Sequence, residues 1–197
     1  MIDIDNVASI LLRGGIALLP TDTIYGLHAL ANDARAVQRI VDIKGRGEDK
    51  PFVVIGASRK QLEAAGATFD ERARRIVDDL WPGPLTCVVP LGTPIAASRG
   101  ASTVAVRVPA VDWLQRLLEK TGPLASTSAN RSGERPLSDP KSMSRQLHDT
   151  LDVVVDEGPR EGEPSTIVDF TGAEPRVIRD GESFFTQKVW KTLRNSL

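Results

Sequence analysis

Four apolar runs of four to six residues, at 16–19, 52–55, 85–89 and 103–108, are separated by stretches in which apolar residues recur at helical spacing. Runs this short suit strands, and their alternation with amphipathic helices restricts the chain to a mixed α/β domain. Residues 103–108 are the sharpest case: Val104, Val106 and Val108 fall on one face, and Thr103, Ala105 and Arg107 on the other. If the valines turn to the core, Arg107 and Thr103 share the opposite, polar face. Val7, Ile10 and Leu11 predict a helix capped by Asp5 or Asn6 and stopped at Gly14-Gly15. Val37, Ile40, Val41 and Lys44 predict another, opened by Asn32 or Asp33 and ended by Gly45, with Lys44 on its core-facing side. Further helices are expected through Leu62 and over 76–80, 113–118, 139–147 and 184–193, and further strands over 124–127, 151–155, 165–170 and 176–178.

At 197 residues, 41% apolar and 26% charged, the composition is that of one globular core, so 1–197 is read as a single domain. Lys+Arg 25 against Asp+Glu 26 leaves no global positive field, and broad electrostatic capture of nucleic acid is not indicated. The lone Cys87 excludes an internal disulfide and, inside an apolar strand, reads as core. No Cys/His group has zinc spacing. The opening Met1-Ile-Asp-Ile-Asp-Asn6 lacks the basic start of a secretory signal, and no apolar run reaches bilayer-spanning length. A cytoplasmic protein without membrane association is expected.

Two polar clusters carry the chemistry. Lys44-Gly-Arg46-Gly-Glu-Asp-Lys50 places three cations within seven residues on a glycine-bearing loop, and Ser126-Thr-Ser-Ala-Asn130 supplies closely spaced hydroxyls and an amide. Together they suit a triphosphate, because cations oppose phosphate charge, glycine lets the backbone come close, and hydroxyls give short neutral hydrogen bonds. Each has a plainer reading too. Lys44 can complement the helix dipole, a contribution of about 0.3 to 1 kcal/mol. Glu48 and Asp49 can neutralise Arg46 and Lys50, and 126–130 can be a turn rich in side-chain-to-backbone bonds. Pro20-Thr-Asp-Thr23 is either a turn capped by Asp22 or a polar strand exit that holds a ligand, as the carboxyl ends of strands do in open parallel sheets. Arg107 either pairs with a carboxylate for structural reasons or grips a substrate carboxylate bidentately.

Several chemistries are absent from the sequence. It has no GxxxxGK[ST] loop, no strand-linked GxGxxG and no GxSxG elbow, and its two histidines, His28 and His148, form no triad or metal pattern.

Taken in order, Pro20-Thr-Asp-Thr-Ile-Tyr-Gly-Leu27, Lys44-Gly-Arg46, Trp81-Pro-Gly-Pro-Leu-Thr86, Ser102-Thr-Val-Ala-Val-Arg107, Ser126-Thr-Ser-Ala-Asn130 with Ser132-Gly133, and Ser165-Thr-Ile-Val-Asp169 resemble the YrdC-like family of threonylcarbamoyl-AMP synthases. The resemblance spans roughly residues 8–181 and is carried by the ordered set rather than by any one member. It implies a twisted mixed sheet flanked by helices around a concave, positively charged cavity, in the short, single-domain form of the family. It also implies an enzyme that joins L-threonine, bicarbonate and ATP into threonylcarbamoyl-AMP with release of pyrophosphate. Separate enzymes then transfer the threonylcarbamoyl group to tRNA adenosine. By the same resemblance Thr23, Arg107, Ser126 and Ser165 contact threonine. Arg46, Lys50, Thr103, Ser128, Asn130 and Arg179 contact ATP, and Lys44 and Arg46 act in catalysis. Mg²⁺ is expected with ATP, shared by phosphate oxygens and water. The polar stretch 130–140 is the candidate closing loop, and 158–164 a second mobile one.

Two positions depart from the family pattern. Gly47 stands where proline usually follows the Lys-x-Arg element, and Ile55 replaces a histidine that contacts threonine in some members, for which His28 is a candidate substitute. Two other readings compete. One is an RNA-binding paralogue that takes tRNA or double-stranded RNA without synthase activity, and the other a carbamoyl-transfer domain of the kind found in much larger chains.

Overall fold

Asp3, rather than Asp5 or Asn6, opens the first helix, α1 (Ile4–Leu12): its carboxylate accepts the Asn6 amide hydrogen at 3.0 Å. That start brings Val7, Ala8 and Leu11 onto one buried face. The computed structural model describes residues 2–45, 51–130 and 133–195. Asp33 caps α2 (Ala34–Lys44) by accepting from Arg35 and Ala36, and Gly45 ends it in the left-handed conformation at φ 56°, as the stripe ending in Lys44 predicts. The remaining helices are α3 (Arg59–Ala64), α4 (Glu71–Leu80), α5 (Asp112–Thr121), α6 (Arg145–His148) and α7 (Ser183–Asn195).

The helix expected over 139–147 does not form. Pro140–Ser142 makes one 3-10 turn, Met143 is extended at ψ 135°, and Ser144 caps the short α6 afresh. Proline at the start of the turn and a capping serine four residues later split the segment in two.

Among the described residues nine strands form one mixed sheet: β1 (Ala17–Pro20), β2 (Tyr25–Leu30), β3 (Val53–Ile55), β4 (Leu85–Pro90), β5 (Thr103–Arg107), β6 (Leu124–Ser128), β7 (Val153–Val154), β8 (Thr166–Asp169) and β9 (Arg176–Arg179). Their spatial order is β7-β1-β2-β6-β3-β5-β4-β8-β9. Pairing is parallel for β1/β7, β3/β5 and β4/β8, and antiparallel for the other neighbours. Strand β2 has no counterpart in the expectations above. Its run Tyr-Gly-Leu-His-Ala-Leu shows no polar alternation because both of its faces are buried. Pro20-Thr-Asp-Thr23 therefore belongs to a tight antiparallel hairpin from β1 to β2, closed by the Thr21 amide on the Ile24 carbonyl at 3.1 Å, and not to a strand-to-helix crossover.

Partners in register share a face of the sheet, and side chains alternate between faces along each strand. His28 is opposite Ser126, Ser126 opposite Val53, and Val53 opposite Ala105, while Arg107 is opposite Ile55 two residues further on. All of these point one way. Leu18, Leu27, Val54, Ala125, Val104, Val106, Cys87 and Val168 point the other way into the larger core, with α2, α4 and α7 supplying Ile40, Ile76 and Val189. On the first face a smaller core joins Leu19, Ile55 and Leu124 to α1 and α5 through Leu11, Leu114, Leu117 and Leu118. The part of that face not roofed by α1 and α5 is left for a cavity. No described helix is long and apolar enough to cross a membrane.

Candidate active site

A cavity of about 380 Å³ opens on that face, a size typical of small-molecule sites. It is lined by the β1–β2 hairpin, β3, and the ends of β5 and β6, with Pro136, Pro164, Ser165 and Arg179 closing its rim. Its described lining includes two guanidiniums, a set of Thr and Ser hydroxyls, and no carboxylate. Of the residues expected to contact threonine, Thr23, Arg107, Ser126 and Ser165 all line it, although they come from four separate parts of the chain.

Arg107 is 6% exposed and held on three sides. Its Nε donates to the Gly83 carbonyl at 3.1 Å, Nη1 to Thr23 Oγ1 at 3.0 Å, and Nη2 to Asp22 Oδ1. Of the two readings of Arg107, the pairing with a carboxylate is the one this geometry shows. The ion pair with Asp22 fixes the guanidinium, and two of its five N–H donors are left over on the cavity side of the fork. Asp22 Oδ2 is buried without a hydrogen-bond partner. Asp22 reads as a turn residue in the sequence, and its partner lies 85 positions away.

A second guanidinium stands nearby. Arg179 donates from Nε and Nη2 to the Ser165 carbonyl at 3.0 and 2.8 Å, and from Nη2 to Ser165 Oγ at 3.1 Å. Burial, and then the Arg107 charge, lower its pKa from the usual value. Thr86 Oγ1 is 2.7 Å from Ser165 Oγ and fully buried. Thr86 lies in the Trp81-Pro-Gly-Pro-Leu-Thr86 stretch that carries the resemblance, yet its side-chain type alone assigns it no task. Asp22 offsets one of the two neighbouring guanidinium charges, and the described lining residues add no further carboxylate, which favours an anionic occupant.

Lys44 lies outside this lining. It is 5% exposed, and its ammonium donates to the carbonyls of Ser128 and Asn130 at 2.6 and 2.9 Å and to Asn130 Oδ1 at 3.1 Å. Ser128 Oγ in turn donates to Asn130 Oδ1, and Asn130 Nδ2 to the Glu134 carbonyl at 2.8 Å. Lys44 thus braces the turn that presents Ser128 to the cavity. Thr103 is paired with Pro90 at the far end of β5, and four residues separate it from Arg107, about 13 Å along a strand. It does not line the cavity. Arg46 and Lys50 lie outside the described residues, between Gly45 and Pro51, and Pro51 itself lines the cavity.

The two stretches expected to be loops meet at the rim. The Arg160 amide donates to the Ser138 carbonyl at 2.7 Å. The Tyr25 hydroxyl donates to the Gly158 carbonyl at 2.8 Å and accepts from the Glu157 amide at 3.0 Å. His28, the candidate substitute for a threonine contact, is fully buried and does not line the cavity. Burial lowers its pKa from 6.5 to about 4, with the backbone of Gly26 and Ala17 opposing the shift.

Comparison with known proteins gives one consistent result. The Sua5/yciO/yrdC family model, described as "Telomere recombination", matches residues 9–181. A Pyrococcus abyssi protein named threonylcarbamoyl-AMP synthase is 36% identical over 178 residues, covering 88% of this chain and 52% of its own length. A Halorhodospira halophila protein of the same name is 34% identical over 182 residues, with 90% of each covered. The crystal structure of P. abyssi Sua5 complexed with L-threonine superposes with a TM-score of 0.86 at 34% identity, over 94% of this chain and 56% of that one. The chain spans about half the length of the archaeal relative.

Two outcomes follow from the geometry. Lys44→Met takes the ammonium from three acceptors, of which Asn130 Oδ1 keeps the Ser128 hydroxyl, and should destabilise the fold by about 1 to 3 kcal/mol in urea, with faster amide exchange at 128–130. Unchanged exchange there would show that the turn does not need the ammonium. His28 resists a proton that the unfolded chain accepts, so its contribution is intact above pH 6.5 and is lost as pH falls from 6.5 towards 4. The acid loss should be smaller in His28→Gln by on the order of 3 kcal/mol, read from urea midpoints across that window.

Proposed function

Because this chain belongs to the Sua5/YciO/YrdC family, we propose that it is a threonylcarbamoyl-AMP synthase, joining L-threonine, bicarbonate and ATP and releasing pyrophosphate. The observation that carries this reading is the convergence of Thr23, Arg107, Ser126 and Ser165 on one cavity with no carboxylate among its described lining residues, in a chain similar to a protein solved with L-threonine.

The threonine carboxylate takes the N–H groups of Arg107 that Asp22, Thr23 and Gly83 leave over. Asp22 thereby sets the orientation of the clamp before substrate arrives. The hydroxyls of Thr23, Ser126 and Ser165 orient the amine and side chain. The amine nitrogen adds to the carbon of CO2 derived from bicarbonate and loses a proton, giving a carbamate. A carbamate oxygen attacks the α-phosphorus of ATP, and pyrophosphate leaves. No covalent nucleophile is required; the chain contributes position and charge.

Arg179 and Ser128, which line the cavity, would meet the phosphates, with Asn130 hydrogen-bonded to Ser128, and Arg46 and Lys50 would add further cations. In this arrangement Lys44 serves by holding the Ser128–Asn130 turn, a supporting task rather than direct contact with the reacting phosphate. Thr103 does not line this cavity, and an ATP contact there would lie beyond its described lining. Mg²⁺ would enter with the ATP, held by phosphate oxygens and water. A carbamate hydrolyses readily, and closure of 130–140 against 158–164 over the cavity would exclude water. The product would serve tRNA threonylcarbamoyl-transfer enzymes.

Incubation with ATP, bicarbonate and isotopically labelled threonine should give labelled mixed anhydride and pyrophosphate, and neither without bicarbonate. Pyrophosphate release that ignores threonine would overturn the reading. Arg107→Lys turns a fork into a point charge and should weaken threonine roughly tenfold while leaving ATP nearly unchanged. Equal losses for the two ligands would remove Arg107 from the carboxylate.

A further inference from the structure

His28 is a buried polar group that the chemistry above does not use. It sits on β2 directly opposite Ser126 on β6, on the sheet face that forms the cavity floor. Its Nε2 lies 3.1 Å from Ser126 Oγ, and the backbones of Gly26 and Ala17 also face the ring.

The space the ring occupies is made by its neighbour. A Cβ at Gly26 would stand 2.7 Å from His28 Cε1 and 3.2 Å from Nε2, so only glycine at that lining position lets the imidazole lie against the floor. The ring edge that touches Gly26 is the edge that reaches Ser126. A serine hydroxyl rotates freely, and one directed bond from behind leaves its remaining donor or acceptor capacity aimed at the cavity.

We infer that His28 is a positioning residue for the amino-acid site, fixing from beneath the cavity floor the direction in which the Ser126 hydroxyl meets the substrate. This rests on the reading of the cavity as a threonine site. The imidazole touches no substrate atom; it acts through Ser126. Its neutral form persists to about pH 4, so the bond is unaltered across the physiological range.

The test is a double-mutant cycle read by calorimetry, with L-threonine and ATP titrated separately into the wild-type protein, His28→Leu, Ser126→Ala and the double variant. Losing one neutral hydrogen bond should weaken threonine about three- to tenfold in His28→Leu, leave ATP unchanged, and add nothing once Ser126 is alanine. His28→Gln keeps a hydrogen-bonding group, should recover part of the loss, and replaces the leucine variant in the cycle if that variant does not fold. The same loss with and without the Ser126 hydroxyl, or a parallel loss of ATP, overturns the positioning role alone. A wild-type protein that takes no threonine overturns the threonine-site reading and this inference with it.

Discussion

The buried fork of Arg107 ties together three parts of the chain that the backbone alone does not join. From the end of β5 it reaches the β1–β2 hairpin through Asp22 and Thr23, and the turn before β4 through the Gly83 carbonyl. A charge 6% exposed is tolerable in such a place because Asp22 compensates it and directed acceptors surround it. The cavity inherits its shape from this junction. Removing the guanidinium would leave the Asp22 carboxylate buried and unpaired, at a cost of about 3 to 5 kcal/mol. In the proposed site structure and recognition would draw on the same side chain, so an ion pair and a substrate clamp do not exclude each other.

Legibility in the sequence followed local periodicity. The valines of β5 face the core and Arg107 faces the opposite way, as strict alternation requires. The stripe of α2 runs through to a buried Lys44 with Gly45 as its stop. Strand β2 escaped notice because burial on both faces erases alternation, and the segment over 139–147 misled because apolar spacing there competes with Pro140 and Ser144. Cross-chain partners were harder still. Asp22, Thr86 and His28 gain their meaning from Arg107, Ser165 and Ser126, which lie 85, 79 and 98 positions away. The acceptors of Lys44 are mostly backbone carbonyls, which no residue name reveals.

The three basic groups at the heart of the region are placed differently. Lys44 is a compact charge directed inward at a turn, whereas Arg107 and Arg179 are planar and keep part of their fork at the cavity wall. A site built this way separates scaffolding cations from recognition cations. The resemblance to other chains assigns Lys44 to catalysis and the two arginines to ligand contact, and does not draw this distinction.

Tyr25 is the one tyrosine in the chain, and its hydroxyl both accepts from Glu157 and donates to Gly158. Burial holds its pKa above the ordinary value. The absorbance of its phenolate in an alkaline titration thus becomes a built-in optical gauge of a single contact, that between the sheet and the 157–158 rim. Any ligand that lifts or seats the rim changes the signal without a label being added.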